Sequence, residues 1–207
     1  MKFKVLMIDL DGVIRRWDGQ DGRIEPTYGL PKGAIRQIAF APDLLSLAVT
    51  GQITDEEWRE RIAEQLQQKF SSARAAEAVT EWSRPAGNVD WETISILRLC
   101  APSVWRVLIT NATTRLDHDL AELGILNEFA SVINSSAVGS AKPSRKIYEI
   151  ALQQADAKPS EALFVDDTEK HVVAAEELGI TSHVFSTHDG LKDFLRQMGV
   201  LPVSSPP

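Results

Sequence analysis

The sequence predicts an α/β fold: a parallel sheet with helices on both faces and a small helical unit inserted after the first strand. Three observations carry that prediction. Short apolar runs without polar alternation end abruptly in acids, amides or hydroxyls. Helical and strand-like periods alternate through the second half of the chain, and a long helical stretch separates the first strand from all the others.

The first run is Val5-Leu6-Met7-Ile8, closing on Asp9-Leu10-Asp11-Gly12-Val13. An apolar run of this length, bounded by glycine, suits a strand covered on both faces by helices. Side chains alternate along a strand, so Asp9 and Asp11 address one site while Leu10 packs on the other side. Gly12 lets the chain turn away without a Cβ in the way. Two acids crowded at a buried strand end repel each other and lose hydration, and a hard cation such as Mg²⁺, which prefers oxygen ligands, compensates them.

Next come Asp18-Gly19 and Asp21-Gly22, which signal turns, so a short loop or hairpin is expected from Val13 to Arg23. From Pro31 to about Ser83 the pattern is helical: Ala34 to Phe40, Leu44 to Val49, then a helix opened by the capping box Thr54-Asp55-Glu56-Glu57. Trp58, Ile62 and Leu66 fall at i, i+4 and i+8 on one face of that helix. Ser71 or Ser72 is expected to cap a further helix carrying Ala75, Ala78, Val79 and Trp82, and Arg84-Pro85-Ala86-Gly87-Asn88 reads as a linker. Residues 17–83 are therefore expected to form a cap, with 1–16 and 84–207 making one discontinuous core.

Beyond the linker the periods alternate. Helices are expected over Asp90 to Leu99, Thr114 to Leu123 with Gly124 as C-cap, from Ser144 through Ala151, after Asp167 to Leu178-Gly179, and over Asp189 to Met198. Strands are expected at Val104–Ile109, Val132–Ile133, Ala162–Val165 and Ser182–Phe185. Such alternation implies a Rossmann-like parallel sheet with right-handed crossovers. Pro202 to Pro207, rich in Pro and Ser, reads as a loosely held tail.

At 207 residues the chain has room for one α/β core and a small accessory unit. With 22 basic against 29 acidic residues and no long basic block, a phosphate-backbone footprint is not expected, and nucleic acid is set aside as a partner. Cys100 lies in a leucine-rich stretch and reads as a small core hydrophobe. No apolar stretch approaches membrane-spanning length and the first strand begins at once, so a cytoplasmic protein, monomer or homodimer, is expected.

In open α/β sheets ligands bind beyond the carboxyl ends of the strands. There the sequence places Asp9 and Asp11, then Thr110 and Asn111, then Lys142-Pro143, then Asp166 and Asp167. Singly, each has a structural reading: Thr110 to Thr114 as a helix N-cap, Lys142-Pro143 as a solvated approach to a helix, Asp166-Asp167-Thr168 as another cap. Together they suit phosphoryl transfer, which is largely positioning and charge stabilisation. Asp9 can act as nucleophile, Asp11 as acid and then base, and Asp166 can hold Mg²⁺ with Asp9 and a backbone carbonyl near Asp11. Thr110, Asn111 and Lys142 can bind the phosphoryl oxygens, with Asp167 in support.

The series Asp9-Leu10-Asp11-Gly12-Val13, Ile109-Thr110-Asn111, Ala141-Lys142-Pro143-Ser144 and Phe164-Val165-Asp166-Asp167 resembles the four motifs of the haloacid dehalogenase-like (HAD) hydrolase superfamily, from the first strand through Gly179. The resemblance implies that Asp9 is the nucleophile, Asp11 the acid/base, Thr110 and Lys142 the second- and third-motif residues, and Asp166 with Asp167 the acidic pair. An insert directly after the first motif resembles the helical cap of the C1 subgroup, which implies closure over substrate. Dehalogenases of the superfamily lack an acid at the position of Asp11, so the resemblance implies a Mg²⁺-dependent phosphatase acting on a small phosphorylated metabolite such as a sugar phosphate. A dehalogenase, a phosphonatase and a non-catalytic phosphate-binding regulator stay open as alternatives; for a phosphonatase, Lys32 and Lys69 are the only lysines of the insert, and neither has the context of a Schiff-base lysine. His171 stands where related phosphatases often carry Asn, and is read as a surface helix histidine. Trp58, Trp82, Trp91 and Trp105 read as packing residues, and Arg15, Arg16 and Trp17 as exposed residues near the entrance.

Overall fold

The computed structural model describes residues 2–17 and 21–202. The Asp18-Gly19 turn and all but Pro202 of the expected tail lie outside the described residues. In chain order the elements are β1 (Val5–Ile8), β2 (Arg15–Arg16), α1 (Asp21–Thr27), α2 (Ala34–Ala39), α3 (Pro42–Val49), α4 (Asp55–Phe70) and α5 (Ala75–Ser83). Then come β3 (Asn88–Val89), α6 (Trp91–Arg98), β4 (Trp105–Thr110), α7 (Leu116–Glu122), β5 (Ser131–Asn134) and α8 (Ser135–Val138). The chain closes with α9 (Arg145–Gln154), β6 (Ala162–Asp166), α10 (Glu169–Glu176), β7 (Thr181–Val184) and α11 (His188–Gln197).

Five parallel strands form one sheet in the order β5-β4-β1-β6-β7. β1 lies at its centre and is buried on both faces, which is why its sequence shows no alternation. Leu6, Ile8 and Leu10 face a core built with Ile94, Leu97, Leu116, Leu120, Leu191 and Leu195, from α6, α7 and α11. Val5 and Met7 face the opposite core, with Ile147, Tyr148 and Ala151 of α9 and Val172 and Ala175 of α10. The register pairs Ile8 with Leu108 on one side and Val165 on the other. The ends of β1, β4 and β6 therefore share one edge, as the fold class requires.

The five helices α1–α5 enclose a separate core of Ile24, Ile35, Leu44, Trp58, Ile62, Leu66 and Val79. The capping box of α4 has both halves: Glu57 N–H donates to Thr54 Oγ1 at 3.1 Å, and Thr54 N–H to Glu57 at 2.7 Å. Trp58 donates to the Ala39 carbonyl at 3.2 Å and packs edge-on to Phe40 and tilted against Trp82.

Several expectations need correction. The turn expected at Asp21-Gly22 is the start of helix α1, which tolerates an internal Pro26. Tertiary burial overrides turn propensity there: Ile24 enters the insert's core, and buried Glu25 accepts from the Gly33 and Ile35 amides at 2.5 and 2.9 Å. Neither Ser71 nor Ser72 caps α5: Ser71 is the left-handed C-cap of α4, and Ser72 donates to the Tyr28 carbonyl. The linker ends in a strand, because Asn88–Val89 pairs antiparallel with Arg15–Arg16 and joins the two crossings into a ribbon. α7 starts later than expected, since Thr113 and Thr114 bind Asp55 of α4 instead of opening the helix. Trp91 and Trp105, in the core half of the chain, are both more than half exposed. Cys100 is buried as expected, and burial pushes its thiol up to about 11.

Candidate active site

At the centre of the sheet edge, Asp9 follows β1 directly. Its N–H donates to the Val165 carbonyl at 2.9 Å, and its Oδ1 accepts from Leu10 N–H at 2.7 Å, so both backbone and side chain are fixed. Lys142 reaches in from the loop before α9, with Nζ 2.7 Å from Asp9 Oδ1, 2.6 Å from Asp166 Oδ2 and 3.0 Å from the Ile109 carbonyl. Three acceptors match the three ammonium donors, which allows this charge to be buried.

The two carboxylates are driven apart by their surroundings. Burial pushes Asp9 up to about 7, with Lys142 pulling the other way and Asp166 adding to the rise. Burial alone would raise Asp166 as well, but His171 and Lys142 together hold it at about 2. His171 is buried, not a surface residue, and its Nδ1 lies 3.0 and 3.2 Å from the two Asp166 oxygens. That corrects the reading from sequence. The first turn of α10 aims the ring back at the strand end, and Tyr148 fixes the same turn by donating to the His171 carbonyl at 2.8 Å. Thr168 N–H adds a 2.8 Å bond to Asp166 Oδ1.

Oxygen atoms of Asp9, Asp166 and Asp167 lie within 4.8 Å of one another. The expected metal set was Asp9, Asp11 and Asp166. In the structure Asp167 joins the cluster, while the Asp11 carboxylate is turned to other partners. Gly12, at φ +82°, makes room for this: a Cβ there would stand 1.9 Å from Asp167 Oδ2. Three carboxylates around one point, one of them exposed, fit a hard divalent cation with open positions for water and substrate oxygens.

Thr110, at the end of β4, is buried, and its Oγ1 has no hydrogen-bond partner among the described residues. An orphaned buried hydroxyl costs free energy unless a ligand accepts from it. Asn111 behaves differently from the expectation. Its amide clasps the Lys142 backbone, donating to the carbonyl at 2.9 Å and accepting from the N–H at 2.7 Å, so it positions Lys142.

Asp11 is 39% exposed and gripped by donors: Arg15 Nε at 2.7 Å and a terminal nitrogen at 2.9 Å, plus the Trp17 indole N–H at 2.7 Å. Arg15, expected at the surface, is buried, and Trp17 covers its guanidinium at 4.5 Å. Arg16, its neighbour, is exposed as expected and reaches the Gly12 carbonyl and Asp90. The insert reaches this edge too: Thr113 donates to Asp55 Oδ1 at 2.8 Å, and a Cβ on Gly51 would collide with the Ser136 carbonyl. Asp55 and Asp119 were missed from sequence, because nothing in their spacing shows that they meet Thr113 and Arg15.

A Rossmann-like α/β core with a helical insert, carrying a carboxylate cluster at the carboxyl edge of its sheet, is what this fold and site define. Residues 3–179 match the family model described as haloacid dehalogenase-like hydrolase, and the chain belongs to that family. It is 28% identical over 149 residues to the mouse (Mus musculus) "haloacid dehalogenase-like hydrolase domain-containing protein 3", covering 69% of this chain and 53% of that one. Its counterpart from Xenopus laevis is 30% identical over 164 residues, covering 78% and 63%. The chain thus spans less than two thirds of the length of these relatives. Among solved structures, a HAD family enzyme from Bacteroides thetaiotaomicron, in complex with magnesium and inorganic phosphate, superposes with a TM-score of 0.68 at 21% identity over 89% of this chain and 94% of that one. A HAD-like hydrolase from Porphyromonas gingivalis gives 0.72 at 18% identity over 96% and 98%. The L-2-haloacid dehalogenase of Xanthobacter autotrophicus, with chloropropionic acid covalently bound, gives 0.63 at 18% over 97% and 85%. At these identities the structures show the fold. Among the described residues no helix is long and apolar enough to cross a membrane.

Proposed function

We propose that this chain is a Mg²⁺-dependent phosphomonoester hydrolase working through an aspartyl-phosphate. The observation that carries the reading is the second acid at the end of β1: Asp11 is half-exposed beside the buried Asp9, where a leaving oxygen needs a proton. A departing halide needs none, so the acid favours a phosphate ester over a haloacid.

In the first step an Asp9 oxygen attacks phosphorus, the P–O ester bond breaks, and the departing oxygen takes a proton from Asp11. Water then attacks the phosphorus of the aspartyl-phosphate and gives its proton to Asp11. Inorganic phosphate leaves, and the Asp9 carboxylate is restored. Thr110 Oγ1, without a partner among the described residues, donates to a phosphoryl oxygen. Lys142 holds Asp9 in place and adds positive charge where the transferring group is negative. Asp9, Asp166 and Asp167 are the side chains that would hold Mg²⁺, with His171 fixing Asp166. When bound, the ion neutralises charge between nucleophile and phosphate.

The same reading divides the chain into a core of 1–16 and 84–207 and a C1-type cap of 17–83. The separate core of α1–α5 and the two-stranded ribbon joining the crossings support that division. A cap near the site and a sequence without a long basic block favour a small phosphate ester such as a sugar phosphate. The test is phosphate release from a panel of phosphorylated metabolites and an aryl phosphate, with and without Mg²⁺, for the parent and Asp9→Asn. Release that needs both the ion and Asp9 supports the proposal. Halide release from haloacids without phosphate release overturns it.

A further inference from the structure

The carboxylate of Asp119, on α7, touches neither the cluster at Asp9 nor the metal-binding oxygens, yet it is buried between two arginines. Arg15 reaches its Oδ2 at 3.1 Å and Arg115 its Oδ1 at 2.8 Å. Each arginine has a second duty. Arg15 holds both oxygens of Asp11 and also touches the Ala86 carbonyl at 3.4 Å. Arg115 donates to the carbonyls of Ser83 and Arg84, the latter at 3.0 Å, where α5 ends and the insert returns to the core. Gly87 lies against the Arg15 stem, leaving no room for a Cβ.

A buried guanidinium needs a compensating charge. Asp11 is half-exposed at the mouth of the site, while Asp119 is enclosed, with one oxygen bound by Arg15 and the other beside Arg115. A bidentate arginine also sets the direction of the carboxylate it binds, which a single point charge does not. The chain of contacts therefore runs from the returning crossing, through Arg115, Asp119 and Arg15, to Asp11.

We propose that Asp119 is a positioning residue for Asp11: through Arg15 it aims the acid/base carboxylate, and through Arg115 it ties that aim to Ser83 and Arg84, where the insert rejoins the core. The inference rests on the phosphatase reading. It makes proton delivery to the leaving oxygen depend on how the insert is seated. Asp119 never touches substrate; its effect passes through the geometry of Asp11.

Two aryl esters of the same shape separate this from a merely structural role. 4-Nitrophenyl phosphate releases a weakly basic oxygen that scarcely needs a proton, whereas phenyl phosphate releases one that does. In Asp119→Asn, kcat/KM for phenyl phosphate is expected to fall about 30-fold and that for 4-nitrophenyl phosphate only about 3-fold, within the range of a misplaced general acid. Arg115→Gln removes the tie between Asp119 and the carbonyls of Ser83 and Arg84 while leaving Arg15 on Asp11. It is expected to shift the same ratio in the same direction by about 3-fold, and it decides the matter if Asp119→Asn does not fold. Equal losses on both esters, or none, in folded variants overturn the proposal. A parent inert on both esters, with Mg²⁺ present, removes the phosphatase reading and this proposal with it.

Discussion

Replacing Lys142 with methionine keeps most of the side-chain volume and removes one ammonium from the middle of the site. In the structure that ammonium is within 2.7 Å of Asp9 Oδ1 and 2.6 Å of Asp166 Oδ2, and it is almost fully enclosed. Its loss leaves two buried carboxylates facing each other. Breaking a buried ion pair costs roughly 3–5 kcal/mol. Asp9 already titrates at about 7, because burial outweighs the pull of Lys142, and without Lys142 it moves higher. A carboxyl whose folded pKa lies above its unfolded value destabilises the fold increasingly as pH rises from the unfolded pKa to the folded one. At pH 6 Asp9 is protonated and the loss stays near about 3 kcal/mol, while at pH 8.5 it approaches about 5. For a chain of this size each kcal/mol shifts Tm by roughly 2–4 °C, so the metal-free variant is expected to melt roughly 6–12 °C below the parent at pH 6 and further below at pH 8.5. Circular-dichroism melts of parent and variant at both pH values measure this. A variant within about 2 °C of the parent at both, or one that loses more at pH 6, would refute the electrostatic account of the site.

His171→Ala removes the ring nitrogen that lies 3.0 and 3.2 Å from the two Asp166 oxygens; we expect Mg²⁺ affinity, measured by titration calorimetry, to fall about 10–100-fold. The Asp166 carboxyl, held at about 2, contributes stability that is present above about pH 4 and lost as pH falls through 2, so acid unfolding of Asp166→Asn should be less steep in that window than that of the parent. Gly12→Ala should cost at least about 10-fold in turnover, because its Cβ meets Asp167 at φ +82°. Gly124→Ala, at φ +68° with open space around it, should lower Tm by a few degrees, for about 1 kcal/mol of strain, and leave turnover unchanged. Thr54→Ala should cost about 1 kcal/mol, read in a thermal melt, through loss of the capping box of α4.

What could be read from the sequence divides along physical lines. β1, β4 and β6 were legible because strands buried on both faces show as unbroken apolar runs. α4 was legible because its capping box and the i, i+4, i+8 spacing of Trp58, Ile62 and Leu66 agree with each other. α1 was not, since Asp21-Gly22 and Pro26 both argue against a helix and only the burial of Ile24 and Glu25 outweighs them. β2 and β3 are two residues each, too short for any period to show. At the site, the positions of Asp9, Thr110, Lys142 and Asp166 at one edge follow from strand order alone. The direction of a side chain does not. Arg15 and Arg16 are adjacent and chemically identical, yet one is buried and the other exposed, because the ribbon of β2 with β3 turns successive residues to opposite faces. Asn111 was expected on the phosphate and instead holds the Lys142 backbone; its orientation depends on a loop that lies 31 residues away in sequence.

The central claim is that Asp9, and no other carboxylate, carries the phosphoryl group. Borohydride added during turnover of an aryl phosphate reduces an acyl-phosphate to the alcohol, which turns an aspartyl-phosphate into homoserine. Mass analysis of the peptide spanning residues 5–13 then identifies the position. The account predicts conversion at Asp9, dependent on Mg²⁺ and absent in Asp9→Asn. Full turnover with Asp9 unmodified, or conversion at Asp11 in its place, would contradict it.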